Sequence, residues 1–426
     1  MKRKQAGISV LLLILAGIFI VAGYRWMEKQ DRSDTAAWQQ ETVNKSESQE
    51  KAKKEQKEDR ENKAADEEEQ KTAGGNKTAG TQDSDETADA IRQDTEKEEQ
   101  EEISDDTQKD AQENISDSIV FAGDVYISRH VETLYDTGGI HAVLDDSLTE
   151  QMQDADLTVV NEEFPFGSGG TAAEDKQYTF RVDPRYSTLL TDLGIDLVSL
   201  ANNHVLDYGT DVLNETFDVL TQKGIVYAGA GKSPEEASAL RTFTVGDSRY
   251  GFLAASRVIP ESSWNVTERQ PGVFTAYDDT ALLQAIRQAQ GSCDFLTVYL
   301  HWGIERNNEP EEYQKELAHA CIDAGADLVI GAHPHVLQGI ESYQGKMIFY
   351  SLGNFIFNQS IEKTMLIRME RAEDLCRYQI IPAKAVAAKT IPYDDIEEFY
   401  RYIEQLSGEK IRIEDGWIEV VESEGS

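Results

Sequence analysis

The chain has little with which to cross-link itself or to hold nucleic acid. Its three cysteines, Cys293, Cys321 and Cys376, are odd in number and far apart. That spacing excludes a disulfide framework and a zinc ribbon, and each thiol reads as a small core residue. Basic residues are scarce: 41 Lys and Arg stand against 79 Asp and Glu, a net charge of −38 over 426 residues. A surface so acidic excludes a broad basic face for nucleic acid or anionic lipid, since either polyanion would be repelled. Aliphatic residues nearly vanish between 28 and 117, and no internal repeat is evident.

One uncharged, mostly apolar run stands out, the 19 residues 6–24 behind Lys2, Arg3 and Lys4. At about 1.5 Å per residue it just spans a hydrocarbon core of roughly 30 Å. The basic cluster keeps the N-terminus cytoplasmic and sends everything after Arg25 outside, so residues 1–27 are expected to form a single-pass anchor in the cell membrane. The competing reading is a cleaved signal peptide, with an unusually long apolar region and a poor exit at Val21-Ala22-Gly23. Residues 28–117 carry 14 basic and 29 acidic side chains. Such a segment buries too little apolar surface to offset its ordering entropy and is expected to be a disordered linker, either a stalk or a plain spacer.

From residue 118 onward, short β-branched runs at 119–122, 157–160, 197–200, 252–255, 295–300, 328–330 and 347–350 alternate with amphipathic segments. Helical patterns at 186–193, 212–223 and 311–324 each stop at a glycine (Gly194, Gly224, Gly325), and Pro184 and Pro310 sit where first-turn prolines belong. The alternation predicts an α/β domain over 118–373 with largely parallel pairing. The remaining 374–426, with a strand pattern at 378–381 and a helix at 394–406, is expected to pack on that domain.

The polar outliers follow the strands. The ends read Gly123-Asp124, Asn161-Glu162-Glu163, Ala201-Asn202-Asn203-His204, His301-Trp302-Gly303, His333-Pro334-His335 and Ser351-Leu352-Gly353-Asn354. The carboxyl ends of parallel strands share one edge of the sheet, where ligands bind, so six polar clusters are predicted to converge. Singly, Asp124 reads as a helix cap, Asn203 as a turn residue and His301 as an interior histidine; convergence overrides those readings. Carboxylates, an amide and imidazoles form a mixed N/O ligand set suited to Mn, Fe or Zn. Strand alternation admits only one of Glu162 and Glu163 to the site.

In this order the motifs resemble the calcineurin-like metallophosphoesterase superfamily, and more closely its branch of CapA-type capsule synthesis proteins. The matching elements are Phe121-Ala-Gly-Asp124, Asn161-Glu-Glu163, Ala201-Asn-Asn-His204 with Asp207 and Gly209, His301-Trp-Gly-Ile-Glu305, Gly331-Ala-His-Pro-His335 and Tyr350-Ser-Leu-Gly-Asn-Phe355. The resemblance implies a sandwich of sheets flanked by helices. It also implies Glu163 as a carboxylate bridging two ions, with Asn203, His301 and His333 completing one and Asp124 and His335 serving the other. His204 would stabilise or protonate a leaving oxygen. Asn161, Asp207, Glu305, Ser351 and Asn354 are candidates for orienting ligands or meeting substrate. The wider pattern has Asp-x-His at the first strand, whereas this chain has Asp124-Val125-Tyr126, so the second ion lacks an imidazole.

The resemblance implies work on poly-γ-glutamate, an anionic envelope polymer, beside integral-membrane synthase or export subunits. The chemistry would be phosphoester hydrolysis or acyl transfer. The alternatives are a non-enzymatic accessory scaffold for a membrane polymer synthase, which the missing imidazole favours, and a general secreted metallophosphodiesterase.

Overall fold

The structure, a computed structural model, describes residues 117–174, 176–357, 360–372 and 375–421. The expected anchor at 6–24 and the acidic linker up to residue 116 lie outside them. Among the described residues no helix is long and apolar enough to cross a membrane.

Two sheets face one another. The parallel half of the larger comprises β1 (Asp117–Val125), β2 (Leu157–Glu162), β3 (Leu197–Ser199) and β4 (Val226–Ala228), paired in that order. Helices α1 (Arg129–Gly138), α2 (Ile140–Val143), α3 (Asp146–Gln153), α4 (Ser187–Asp192) and α5 (Thr210–Lys223) connect these strands. A two-stranded ribbon, β5 (Ala230–Gly231) with β8 (Gly272–Val273), and the short α6 (Pro234–Ala237) lead into the second sheet. That sheet runs β11 (Ile340–Tyr343), β12 (Lys346–Phe349), β10 (Leu328–Ala332), β9 (Phe295–His301), β7 (Ser248–Ser256) and β6 (Arg241–Val245). Helices α7 (Thr280–Ala289) and α8 (Glu312–Ala324) belong to its outer side.

The period of two along a strand explains how the layers form. On β9 and β10, Phe295, Tyr299, Leu328 and Ile330 pack into one apolar cluster with the larger sheet. Their alternates Leu296, Val298, Leu300 and Val329 pack into a second cluster with α7 and α8. Both faces being covered, these strands read as continuous apolar runs. Each fully buried Leu, Val or Phe contributes roughly 1.5–3 kcal/mol. Two tyrosines stitch the sheets together: Tyr299 Oη donates to the Ala122 carbonyl at 2.6 Å and Tyr250 Oη to Asp117 Oδ2 at 2.7 Å.

The expectation of largely parallel pairing holds for β1–β4, for β7, β9, β10 and β12 and for the short β13, but not for the strands from β14 onward. β14 (Ser360–Arg371) runs antiparallel beside β1, and β15 (Cys376–Val386) antiparallel beside β14. β16 (Lys389–Pro392), α9 (Ile396–Leu406), β17 (Ile411–Glu414) and β18 (Trp417–Val420) complete that half. β13 (Asn354–Ile356) pairs parallel with the C-terminal end of β1. The domain boundary expected at 373–374 therefore falls between two strands paired along most of their length. Met365–Ile367 of β14 is buried on both faces, which erases the alternation that would have marked a strand.

Gly224 and Gly325 close α5 and α8 in left-handed conformation, as the sequence predicts. Pro310 does not enter a first turn, because a capping box between Glu311 and Gln314 sets the start of α8 one residue later. Cys321 is a core residue, whereas Cys376 is exposed, with its thiol on Tyr378 Oη at 3.4 Å, rather than buried as expected.

Candidate metal centre

The strand ends do meet. Asp124 arrives on β1 after Gly123, where a Cβ would stand 1.9 Å from the Gly353 carbonyl oxygen, so only glycine lets β1 reach that segment. The Asp124 amide donates to the same oxygen at 2.9 Å. Its carboxylate accepts from Asn161 Nδ2 at 2.8 Å and from the His333 amide at 3.3 Å, and it caps no helix. Asn161 in turn accepts from Asn202 Nδ2 at 3.1 Å. Between the two adjacent glutamates, Glu163 faces the histidines: its Oε1 lies 3.6 Å from His301 Nε2 and 3.7 Å from His335 Nε2. Among the described residues no such contact is found for Glu162, which is also fully buried.

Three imidazoles, those of His301, His333 and His335, come from strand ends of the opposite sheet. His301 Nε2 lies 2.7 Å from Asn203 Oδ1. His333 and His335 sit at φ 96° and 58°, territory that side chains enter rarely. His335 Nδ1 lies 2.8 Å from Asn354 Oδ1, which leaves Nε2 for a ligand, the usual arrangement behind a metal-bound imidazole. One potential ligand atom from each of Glu163, His333 and His335 falls within 4.8 Å of the others.

A divalent ion fits this set. Both Glu163 oxygens and His333 Nδ1 are buried with no hydrogen-bond partner among the described residues. Orphaned buried polar atoms are costly and rare unless something fills the gap between them. Burial, then repulsion from Asp124, pushes the Glu163 carboxyl well above its usual range. Burial pulls His333 down to about 4 and His301 well below its ordinary value. Burial would lower His335 too, but the Glu163 and Asp124 carboxylates outweigh it and hold His335 at about 10. A bound cation would relieve the carboxylate and release that proton.

His204 stands beside this group, with Nδ1 2.7 Å from Asp207 Oδ2 and its ring stacked on Phe180 at 4.0 Å. Burial, then the nearby Lys176 ammonium, holds it at about 4. Tyr126 joins the same stack: its ring lies 4.0 Å from Phe180, with Phe357 and Phe164 against it. The Glu305 charge is felt at Glu163, His333 and His335. Ser351 differs from the other candidates: its hydroxyl donates to the Val336 carbonyl and accepts from the Gly353 amide, closing a turn. Lys176, Phe180 and Phe357 carried no signal in the sequence, being single residues in segments without periodicity.

Residues 118–359 match the family described as bacterial capsule synthesis protein PGA_cap. The chain is 31% identical over 252 residues to the PGA biosynthesis protein CapA of Bacillus subtilis strain 168, covering 58% of this chain and 65% of that one. It is 30% identical over 259 residues to the capsule biosynthesis protein CapA of Bacillus anthracis, covering 58% and 61%. A probable polyglutamine synthesis accessory protein of Mycobacterium tuberculosis is 32% identical over 226 residues, covering 50% and 57%. The chain thus spans less than two thirds of the length of each of these relatives. Among solved structures, a novel phosphatase of Mycoplasma pneumoniae matches at 12% identity and TM-score 0.38, covering 65% of this chain and 92% of that one. The NAD nucleotidase of Haemophilus influenzae matches at 12% and TM-score 0.39, covering 68% and 56%. Likeness at that level carries no conclusion about activity.

Proposed function

The chain belongs to the bacterial capsule synthesis protein family PGA_cap, and from that premise we propose that it serves poly-γ-glutamate or a like envelope polymer as a metal-dependent enzyme. In this reading residues 6–24 anchor it in the cell membrane, the acidic segment behind them is a stalk, and the globular domain works outside, beside membrane synthase or export subunits. The observation that carries the catalytic part is the orphaned trio of donor atoms, both Glu163 oxygens and His333 Nδ1, beside a histidine–aspartate pair.

Glu163, His333 and His335 would hold the ion, with His301 and Asn203 adjoining. A divalent transition metal there would supply Lewis acidity and a bound hydroxide near neutral pH. The rest is the work of this chain. Asp207 holds the Nδ1 edge of His204, so Nε2 is the nitrogen that can meet a substrate oxygen and exchange a proton with it. The Tyr126, Phe180 and Phe357 rings keep water from that flank. One ion rather than two is favoured, because both Asp124 oxygens already have partners and Tyr126 is committed to its aromatic stack.

Metal analysis of the full chain tests the site: about one equivalent of Mn, Fe or Zn in the wild type and near none in His333→Ala is expected. No transition metal in the wild type defeats the proposal. A second reading, a non-enzymatic scaffold, is favoured by the aromatic side chain at position 126. His204→Ala separates the two: lost surface polymer with normal protein level and metal content supports catalysis, and retained polymer supports scaffolding.

A further inference from the structure

We propose that Lys176 is a positioning residue, which holds the His204 imidazole with its proton on Nδ1 against Asp207 and so presents a bare Nε2 to the site. Its consequence for turnover rests on the catalytic reading above; its geometry does not. Lys176 lies on the segment between β2 and α4. Its ammonium donates to the Asn203 carbonyl and to Asp207 Oδ1, lies 3.0 Å from His204 Nδ1 and sits 5.1 Å from the centre of the Trp264 ring. The side chain is 14% exposed.

Nδ1 of His204 therefore faces two neighbours that want different things from it. Asp207 Oδ2 at 2.7 Å is an acceptor and the ammonium is a donor. An ammonium has three N–H donors and no lone pair; two of the three are on oxygens, and the third, at 3.0 Å, makes the longer of the two contacts at Nδ1. A bare Nδ1 would oppose the carboxylate lone pairs at 2.7 Å, so the contact with Asp207 requires the proton on Nδ1. Lys176 balances the charge of Asp207, which is completely buried. The same loop is tied down by the Phe180 amide, donating to Asp207 Oδ2 at 2.6 Å, and the Ala173 amide, donating to the Asp207 carbonyl at 2.8 Å. With the Phe180 ring on His204, one lysine and one aspartate fix both the plane and the tautomer of the imidazole.

The test is long-range 1H–15N correlation of the full chain labelled with 15N-histidine, with His204 assigned among the seven histidines by the signals lost in His204→Gln. The wild type is expected to show His204 protonated on Nδ1 only. Lys176→Met is expected to lose that single pattern. Its turnover of bis(4-nitrophenyl) phosphate with Mn2+ should fall about ten- to a hundredfold at little-changed KM. Lys176→Arg should restore the pattern and most of the turnover. Wild-type His204 protonated on Nε2, or a folded Lys176→Met with the wild-type pattern, overturns the proposal. Should Lys176→Met not fold, Lys176→Gln replaces it, and unfolding of both overturns positioning in favour of a purely structural role. The expected patterns without turnover by any chain defeat the catalytic reading and leave the proton placement standing.

Discussion

A histidine with φ of 96° occupies backbone space that costs on the order of 1–3 kcal/mol, and His335 two residues on does the same at 58°. Strain of that kind persists where surrounding structure over-determines it, here by the Asp124 carboxylate that accepts from the His333 amide. His333→Ala should weaken metal affinity at least about a hundredfold, read by competition with a chelating dye. Tyr126→His, by adding an imidazole beside Asp124, should raise the bound metal from one equivalent towards two, read by elemental analysis. Metal affinity should climb about tenfold per pH unit from pH 7 to 9, because His335, held at about 10, must lose its proton to ligate. In the metal-free protein the same raised value works the other way. His335 then stabilises the fold fully below pH 6.5, and that contribution is lost as pH rises through 10. The six strand ends meet across two facing sheets and not, as expected, along the edge of one, but the donor residues were legible beforehand because a polar residue just after an apolar run is out of place. Lys176 was not, because nothing in its loop sets it apart until folding brings it beside Asp207.

Among the elements, β1 decides the most. It touches β2, β13 and β14, and at Gly123 it passes the Gly353 carbonyl with no space for a methyl group. Gly123→Ala should lower stability by about 1–3 kcal/mol, measured by urea unfolding, and should reduce metal content by displacing Asp124. The strands that build the parallel halves, except the short β4, were readable as bounded apolar runs, and α5 and α8 as periodic segments ended by glycine. β14 was not: half-buried charged residues such as Arg368 and Glu370 interrupt it, and its centre is buried on both sides, whereas the strand pattern at 378–381 lies within β15. A chain cut after residue 372 should fail to fold, seen as lost near-ultraviolet dichroism, because β14 would be left without β15.

Over the whole molecule, negative charge governs what can approach. Residues 118–426 alone carry 23 basic and 50 acidic side chains. A polyanionic polymer is repelled by such a surface at distances up to roughly 10 Å in 0.1 M salt. Retention of poly-γ-glutamate by the full chain should therefore require the divalent ion and vanish with a chelator, measured by co-sedimentation. This dependence follows from composition alone, whereas the place where the charge is overcome follows only from the fold.

The position of β14 beside β1 also fixes a timetable. Ile119 pairs with Met369, 250 positions later, so one margin of β1 has its partner only when nearly all of the folded region has been delivered. Contacts of such sequence separation close slowly. Until then that margin is an unpaired row of amides and carbonyls, able to join any other extended chain it meets. A ribosome or translocase handing over this protein thus releases an adhesive intermediate first and a finished domain last.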